Sequence, residues 1–158
     1  MTLDRTDFEI LRLLQENAQL MNKELAEAVG LAPSSCHERV KRLWASGVIT
    51  GTQTLVDATR LGYGISAIIF VNISKDGQIA IDDLMDELIA LPEVQSVHLV
   101  TGSYDLIVRV LARDTNHLKS LAYEVLTGRG EINRYETSII YESRRGDSIP
   151  LETGRTDE

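Results

Sequence analysis

Residues Asn22 to Gly51 read NKELAEAVGLAPSSCHERVKRLWASGVITG, and the two glycines inside the run decide how it folds. Leu25, Ala26 and Val29 recur at helical spacing and then meet Gly30. A residue without a Cβ enters the left-handed conformation just past a helix end at little cost, and Leu31 behind it can fold back on the last turn. Asn22, at the other end, is expected to cap the helix start by accepting a backbone N–H. Pro33 opens a second helix, because its locked φ and missing N–H are harmless at the first helical position. Cys36, Val40 and Leu43 follow at i, i+4 and i+7 on one face, and Gly47 closes this helix as Gly30 closes the first. The spacing predicts two short helices joined by a tight turn.

With Cys36, Val40 and Leu43 turned inward, the opposite side of the second helix carries Ser34, Ser35, His37, Glu38, Lys41 and Arg42. A helix-turn-helix lays such a face in the DNA major groove. Its early residues reach base edges and its later basic residues hold phosphates. Ser34, Ser35 and His37 are therefore assigned to bases, with Glu38 able to accept from a cytosine amino group, and Lys41 and Arg42 to phosphates. Each side chain alone reads equally well as a solvated surface residue; together, on one face, they point to double-stranded DNA.

A further helix precedes these two. Asp4 suits its N-cap, Leu3 and Phe8 flank that cap as a hydrophobic staple, and Ile10, Leu11 and Leu14 supply the buried stripe. After Gly47, the Thr-, Ile- and Val-rich run Val48 to Val56 predicts a strand pair or wing.

The whole chain, 158 residues with a formal net charge of −8 and a pI near 4.9, is not that of a basic nucleic-acid binder. The charge is unevenly placed. Residues 1–50 hold six Lys/Arg against seven Asp/Glu, and Ser34 to Trp44 hold three basic residues against one acidic. A local positive stripe of this size implies salt-sensitive, modest affinity per copy, and useful occupancy through paired copies. At 43% apolar residues the length suffices for two small cores. No stretch is apolar and long enough to span a bilayer, and Asp4, Asp7 and Glu9 interrupt any secretory signal, so a cytoplasmic protein without a membrane partner is expected. Cys36, the single cysteine, is placed in the core. Three histidines, His37, His98 and His117, show no metal-ligand spacing, so neither a metal nor a cofactor is expected.

Thr59 to Gly64 reads as a connector, and the pattern then changes. Ile65, Ala67, Ile69, Val71 and Ile73 alternate, as one face of a strand does. Ile81, Leu84, Met85, Leu88 and Leu91 return to helical spacing and Pro92 ends them. Val94 to Thr101 and Tyr104 to Ala112 read as strands joined by a type II′ turn over Gly102 and Ser103. Leu118, Leu121, Ala122 and Val125 mark another helix, and Ile132 to Tyr141 a last strand. The order βαββαβ predicts a ferredoxin-like antiparallel sheet with two helices on one face. The other face mixes Ile68 and Phe70 with Ser66 and Asn72 and invites a second copy, an isologous homodimer. The expected boundaries are 1–50 for the helix-turn-helix, 51–64 for strand and linker, 65–142 for the ferredoxin-like domain and 143–158 for a polar tail, either disordered or laid across a partner. The fold class is α+β.

These residues resemble a known family. LDRTDFEILRLLQENAQ at Leu3 to Gln19, the run from Asn22 to Gly51, LGYG at Leu61 to Gly64, HLVTGSYDLIVRV at His98 to Val110 and RYETSII at Arg134 to Ile140 look like the motifs of the Lrp/AsnC regulators, over nearly the whole chain. The resemblance implies an N-terminal winged helix-turn-helix and a ferredoxin-like effector and oligomerisation domain. It also implies dimers associating further, often to octamers, and transcriptional control by a small-molecule effector, commonly an amino acid. It carries the effector site onto Gly102, Tyr104 and Asp105, with Thr137 and Ser138 opposite: Asp105 suits an α-ammonium, the turn amides near Gly102 an α-carboxylate, and Tyr104 a pocket wall. Structural readings compete, a glycine-requiring turn for Gly102 and a rim carboxylate for Asp105. Two positions depart from the family. Ala32 stands where a capping serine is usual, a loss of about 1 kcal/mol, and TGRG at Thr127 to Gly130 replaces an apolar-proline turn. Two other functions remain open, a sirohaem-decarboxylase-like enzyme of the same fold and an amino-acid-sensing protein-interaction module.

Overall fold

The computed structural model describes residues 2–74, 81–127, 129–130, 132–144, 146 and 148–151. The chain divides into two compact units, residues 1–54 together with those from 144 onward, and residues 55–143.

Three helices build the first unit, α1 (Arg5–Glu16), α2 (Asn22–Ala28) and α3 (Pro33–Ala45). The Asp4 carboxylate accepts the Asp7 N–H at 2.9 Å and the Asp7 carboxylate accepts the Asp4 N–H at 3.1 Å, a capping box made of two aspartates. At α2 the expectation for Asn22 is corrected. It is the first helical residue, and the start is closed by Glu24, which accepts the Met21 N–H at 2.9 Å. The Asn22 amide is left to donate to the Pro33 carbonyl at 2.8 Å, tying the start of α2 to the start of α3.

Both helix ends form as the glycines require. Gly30 has φ +68°, with Leu31 N–H donating to Ala26 O at 2.8 Å and Gly30 N–H to Glu27 O at 3.2 Å. Gly47 has φ +75°, with Val48 N–H donating to Leu43 O at 3.1 Å and Gly47 N–H to Trp44 O at 3.0 Å. Each pair is the double bond of a Schellman ending. Ala32, as expected, supplies no side-chain cap to α3. Ile10, Leu11, Leu25, Ala26, Cys36 and Leu43 form the core. Burial pushes the Cys36 thiol up and keeps it a protonated packing group.

The expectation for the segment after Gly47 is overturned. Val48 to Val56 forms no strand. A strand needs a neighbour's backbone to pair with; here Ile49 turns into the core while Leu55 and Val56 lie exposed. Of the tail, residues 145, 147 and 152–158 lie outside the described residues; in the rest, Leu151 packs on the helical core, and Gln15 clasps Ile149, accepting its N–H at 2.7 Å and donating to its carbonyl at 3.4 Å.

The second unit opens with a 3₁₀ turn at Thr59–Leu61 and continues β1 (Ile65–Ile73), α4 (Ile81–Ile89), β2 (Val94–Leu99), β3 (Leu106–Ala112), α5 (Thr115–Leu126) and β4 (Ile132–Ile140). The strands pair antiparallel in the order β2-β3-β1-β4, the ferredoxin-like arrangement. One face packs Ala67, Ile69 and Val71 of β1 and Leu106, Val108 and Val110 of β3 against Leu84 and Leu88 of α4 and Leu118, Leu121, Ala122 and Leu126 of α5. The alternation read in β1 is thereby realised. The Val125 side chain and Gly128 of the TGRG loop lie outside the described residues. On the other face Ser66, Ile68, Phe70 and Asn72 of β1 and Ile107 and Leu111 of β3 are only half-buried.

The tight turn expected over Gly102 and Ser103 is replaced by a six-residue loop, because the strands stop at Leu99 and Leu106. Asp105 bonds on both sides: its N–H donates to Val71 O at 2.9 Å and its carboxylate accepts the Ile73 N–H at 2.7 Å, while its carbonyl accepts the Val100 N–H at 2.9 Å across the hairpin, which leaves 101–104 to make the turn. Gly102 still carries φ +117°, the conformation for which glycine is suited.

Candidate nucleic-acid interface and effector site

All six residues assigned to DNA are exposed on α3. Ser34, Glu38 and Lys41, at i, i+4 and i+7, form the stripe opposite the buried Cys36 and Leu43. Ser35 and Arg42, also seven apart, lie on one flank. His37 lies on the other flank with Trp44, lining an apolar groove of about 650 Å³ together with Leu3, Phe8, Leu14 and Val48.

The position of α3 is held by a charge that sequence reasoning treated only as an interruption of an apolar stretch. Asp7 is fully buried. Its carboxylate accepts from Arg39 at 2.8 Å and from Arg42 at 2.7 and 3.0 Å, so one anion at the start of α1 anchors two cations on α3. Arg39 also reaches Asp4 at 2.7 Å, and that hydrogen bond holds the Asp4 carboxyl below its ordinary value. The Arg42 side chain stays 48% exposed while so anchored. The signal was present: Asp7 lies at i relative to Ile10, Leu11 and Leu14 at i+3, i+4 and i+7, a carboxylate on the buried stripe, which demands a partner.

In the sheet domain the loop carrying Gly102, Tyr104 and Asp105 is stapled to the end of β1. Beyond the two Asp105 bonds, the Asn72 amide donates to Ser103 O at 2.7 Å and Val100 N–H donates to Asp105 O at 2.9 Å. Tyr104 packs its ring 4.9 Å from Phe70 and donates its hydroxyl to Glu136 Oε2 at 2.9 Å. That bond, ahead of burial and the Glu136 charge, raises the Tyr104 phenol above its ordinary value. Asp105 commits Oδ2 to Ile73, and Oδ1 makes no hydrogen bond among the described residues. Thr137 and Ser138 are exposed on β4, paired with Ile69 and Ile68 of β1. As neighbours on a strand they face opposite sides of the sheet. Ser138 shares the open face with Phe70 and Glu136, whereas Thr137 shares the helix-side face with Ile69. The structure therefore gathers Gly102, Tyr104 and Asp105 in one loop and brings Ser138, not Thr137, to the face of Tyr104's partners. Glu136 joins this cluster unread from sequence, and Phe70 and Asn72, read only as residues of the open face, join it too, since their roles depend on which strands become neighbours.

Comparison with known proteins follows the same division. Residues 3–50 match the winged helix-turn-helix DNA-binding family and residues 66–148 the Lrp/AsnC ligand binding domain. The chain is 38% identical to the HTH-type transcriptional regulator AldR of Mycolicibacterium smegmatis, over 92% of this chain and 85% of that one. It is 31% identical to the leucine-responsive regulatory protein of Haemophilus influenzae, over 89% and 84%. Among solved structures, a Neisseria meningitidis transcriptional regulator in complex with L-Met matches with a TM-score of 0.86 and 31% identity, covering 95% of this chain and 97% of that one. AsnC of E. coli matches with a TM-score of 0.83 and 28% identity, covering 94% and 99%. With a helix-turn-helix at one end, a ferredoxin-like ligand-binding fold at the other and relatives that are transcriptional regulators throughout, the chain belongs to the Lrp/AsnC family of DNA-binding transcriptional regulators.

Proposed function

We propose that this regulator reads duplex DNA with α3 in paired copies and that an amino acid bound beside the 100–105 loop alters its assembly or its DNA affinity. The observation carrying the reading is the exposed stripe Ser34, Glu38 and Lys41 on a helix fixed by Asp7, with Ser35, His37 and Arg42 on its flanks. Ser34, Ser35 and His37 meet base edges, Glu38 accepts from cytosine, and Lys41 and the outer nitrogens of Arg42 hold phosphates. For the effector, the L-Met complex of the Neisseria relative supports an amino acid, and the uncommitted Asp105 Oδ1 suits its α-ammonium. The Gly102 turn offers amides for the α-carboxylate. Tyr104, Thr137 and Ser138 complete the proposed site, Thr137 from the other side of β4.

The half-buried face bearing Ile68 and Phe70 supports a homodimer through the sheet, associating further toward an octamer. On that face the Ser66 hydroxyl is shielded from solvent without a partner among the described residues, a cost that a covering copy with a suitable donor or acceptor would remove. A regulatory role without catalysis is preferred to the decarboxylase reading because His117 is occupied structurally, accepting the Arg113 N–H at 3.1 Å on Nδ1 with Glu93 3.5 Å from Nε2.

The test is a salt-titrated DNA-binding assay on the protein's own upstream region, run beside gel filtration with each common amino acid. Wild type binds with a steep salt dependence, and at least one amino acid shifts binding or assembly. Asp105→Asn, which keeps an acceptor for Ile73 N–H but loses the charge, abolishes that response and leaves effector-free DNA binding intact. A protein that binds no upstream DNA even in dilute salt sinks the reading.

A further inference from the structure

Ile149 lies 134 residues from Gln15 in sequence, yet Gln15 binds both of its backbone groups. A glutamine side-chain amide carries both an acceptor and donors, so it satisfies the N–H and the C=O of one residue as a neighbouring strand would. Leu151 packs on the helical core, and Ile149 and Leu151 line the groove of about 650 Å³ with Leu3, Phe8, Trp44 and Val48. Because residues 55–143 lie between, the helical unit is joined to the sheet domain twice, once at 54–55 and again at 143–144.

We propose that Ser148–Leu151 is a latch: docked in this groove of its own helix-turn-helix unit, it restricts how freely that unit turns about the linker and so pre-arranges the paired reading helices for two half-sites. A head on one tether samples more orientations, and each must be given up when both heads bind. A second tether removes much of that freedom beforehand, which strengthens binding to a two-half-site DNA and leaves the single-site contact untouched. The latch rests on the DNA-binding reading above and deepens it, since it names a second route by which changes in the sheet domain reach the reading helix.

Trp44 is the chain's single tryptophan, lines the latch's groove and is 43% exposed, so its emission reports docking directly. Wild type is compared with a chain ending at residue 147 and with full-length Gln15→Ala and Leu151→Asp. Acrylamide quenching of Trp44 is measured together with affinity for duplexes carrying one and two copies of the half-site that wild type protects. All three variants should show greater quenching, unchanged single-site affinity and a roughly 3- to 10-fold loss on the paired site. Unchanged quenching in the truncated chain and in Leu151→Asp would overturn the docking. Equal losses on single and paired sites would overturn the latch, since the tail would then only complete the fold of the head. If wild type binds neither duplex, the regulator reading fails and takes the latch's role with it, an outcome distinct from a latch that fails while wild type binds.

Discussion

The helical unit and the sheet domain are held together by different means. In the sheet domain the fourteen buried core residues among those described are all apolar, contributed by three strands and two helices. The helical unit buries six apolar residues and, with them, the Asp7 carboxylate. It relies on directed bonds: two Schellman endings, an Asp–Asp capping box, the Asn22 to Pro33 link and the Asp7 anchor on Arg39 and Arg42. A small unit with little area to bury gains definition from bonds that fix angles, and a helix whose exposed face is proposed to read DNA needs that definition more than it needs bulk stability. A sheet packed on an apolar core tolerates looser direction, because buried area is indifferent to small rotations.

This contrast is open to direct attack, since the one tryptophan lies in the helical unit and all five tyrosines, Tyr63, Tyr104, Tyr123, Tyr135 and Tyr141, lie in residues 55–143. Each unit therefore has its own optical signal. The largest effect is expected from Leu106→Ala, which empties a fully buried position and lowers stability by about 3 kcal/mol in urea unfolding followed by tyrosine emission. Asp7→Asn comes next. It leaves the shape and removes the charge facing two arginines, and a loss of about 1–3 kcal/mol is expected in the Trp44 transition, with weakened DNA binding. A neutral outcome there would break the comparison, because the helical unit would then rest on its apolar core alone. Ala32→Ser should run the other way, adding about 1 kcal/mol to the Trp44 transition by capping α3, and a variant no more stable than wild type would show that the first N–H groups of α3 gain nothing from a side-chain acceptor.

The smallest effects are those of pH, and they sharpen the contrast by sign. The Asp4 carboxyl is lowered in the folded state by Arg39, so its contribution is present at neutral pH and lost as pH falls through its folded value, below 3.8. The Tyr104 phenol is raised by its hydrogen bond to Glu136, so its contribution is present below pH 10 and lost as pH rises through its higher folded value. Trp44 should therefore register weakening in acid, whereas a tyrosine absorbance titration should show one phenol ionising late, and Glu136→Gln should bring that phenol back toward its ordinary value.

Much of the fold was legible in sequence where a residue's own conformation carried the message. Gly30, Gly47 and Pro33 announce helix ends and a helix start through φ alone, and the odd-numbered run from Ile65 to Ile73 announces a buried strand face through its period of two. Legibility failed where a bond reached outside the local window. Asn22 is a good capping residue in isolation, yet Glu24 took the N–H and freed Asn22 for Pro33. Gly102 and Ser103 suit a two-residue turn, yet the hairpin closes between Val100 and Asp105, and Asp105 bonds to β1 as well. In the cluster around Tyr104 the loop residues could be named from motif resemblance, whereas the contacts of Glu136 and Phe70 with Tyr104 could not, because they exist only after β4 and β3 have flanked β1.

What the amino-acid order determines by itself is the set of helices, strands and stops, since propensity, capping and periodicity act over a few residues. Tertiary structure alone decided that Asp7 holds Arg39 and Arg42, 32 and 35 positions away, and that Asp105 completes a strand 32 positions back. It also decided that Ile149 returns to Gln15. In each case a polar group leaving water must find a partner, and which partner stands within 3 Å is settled by the packing of elements that no local pattern encodes.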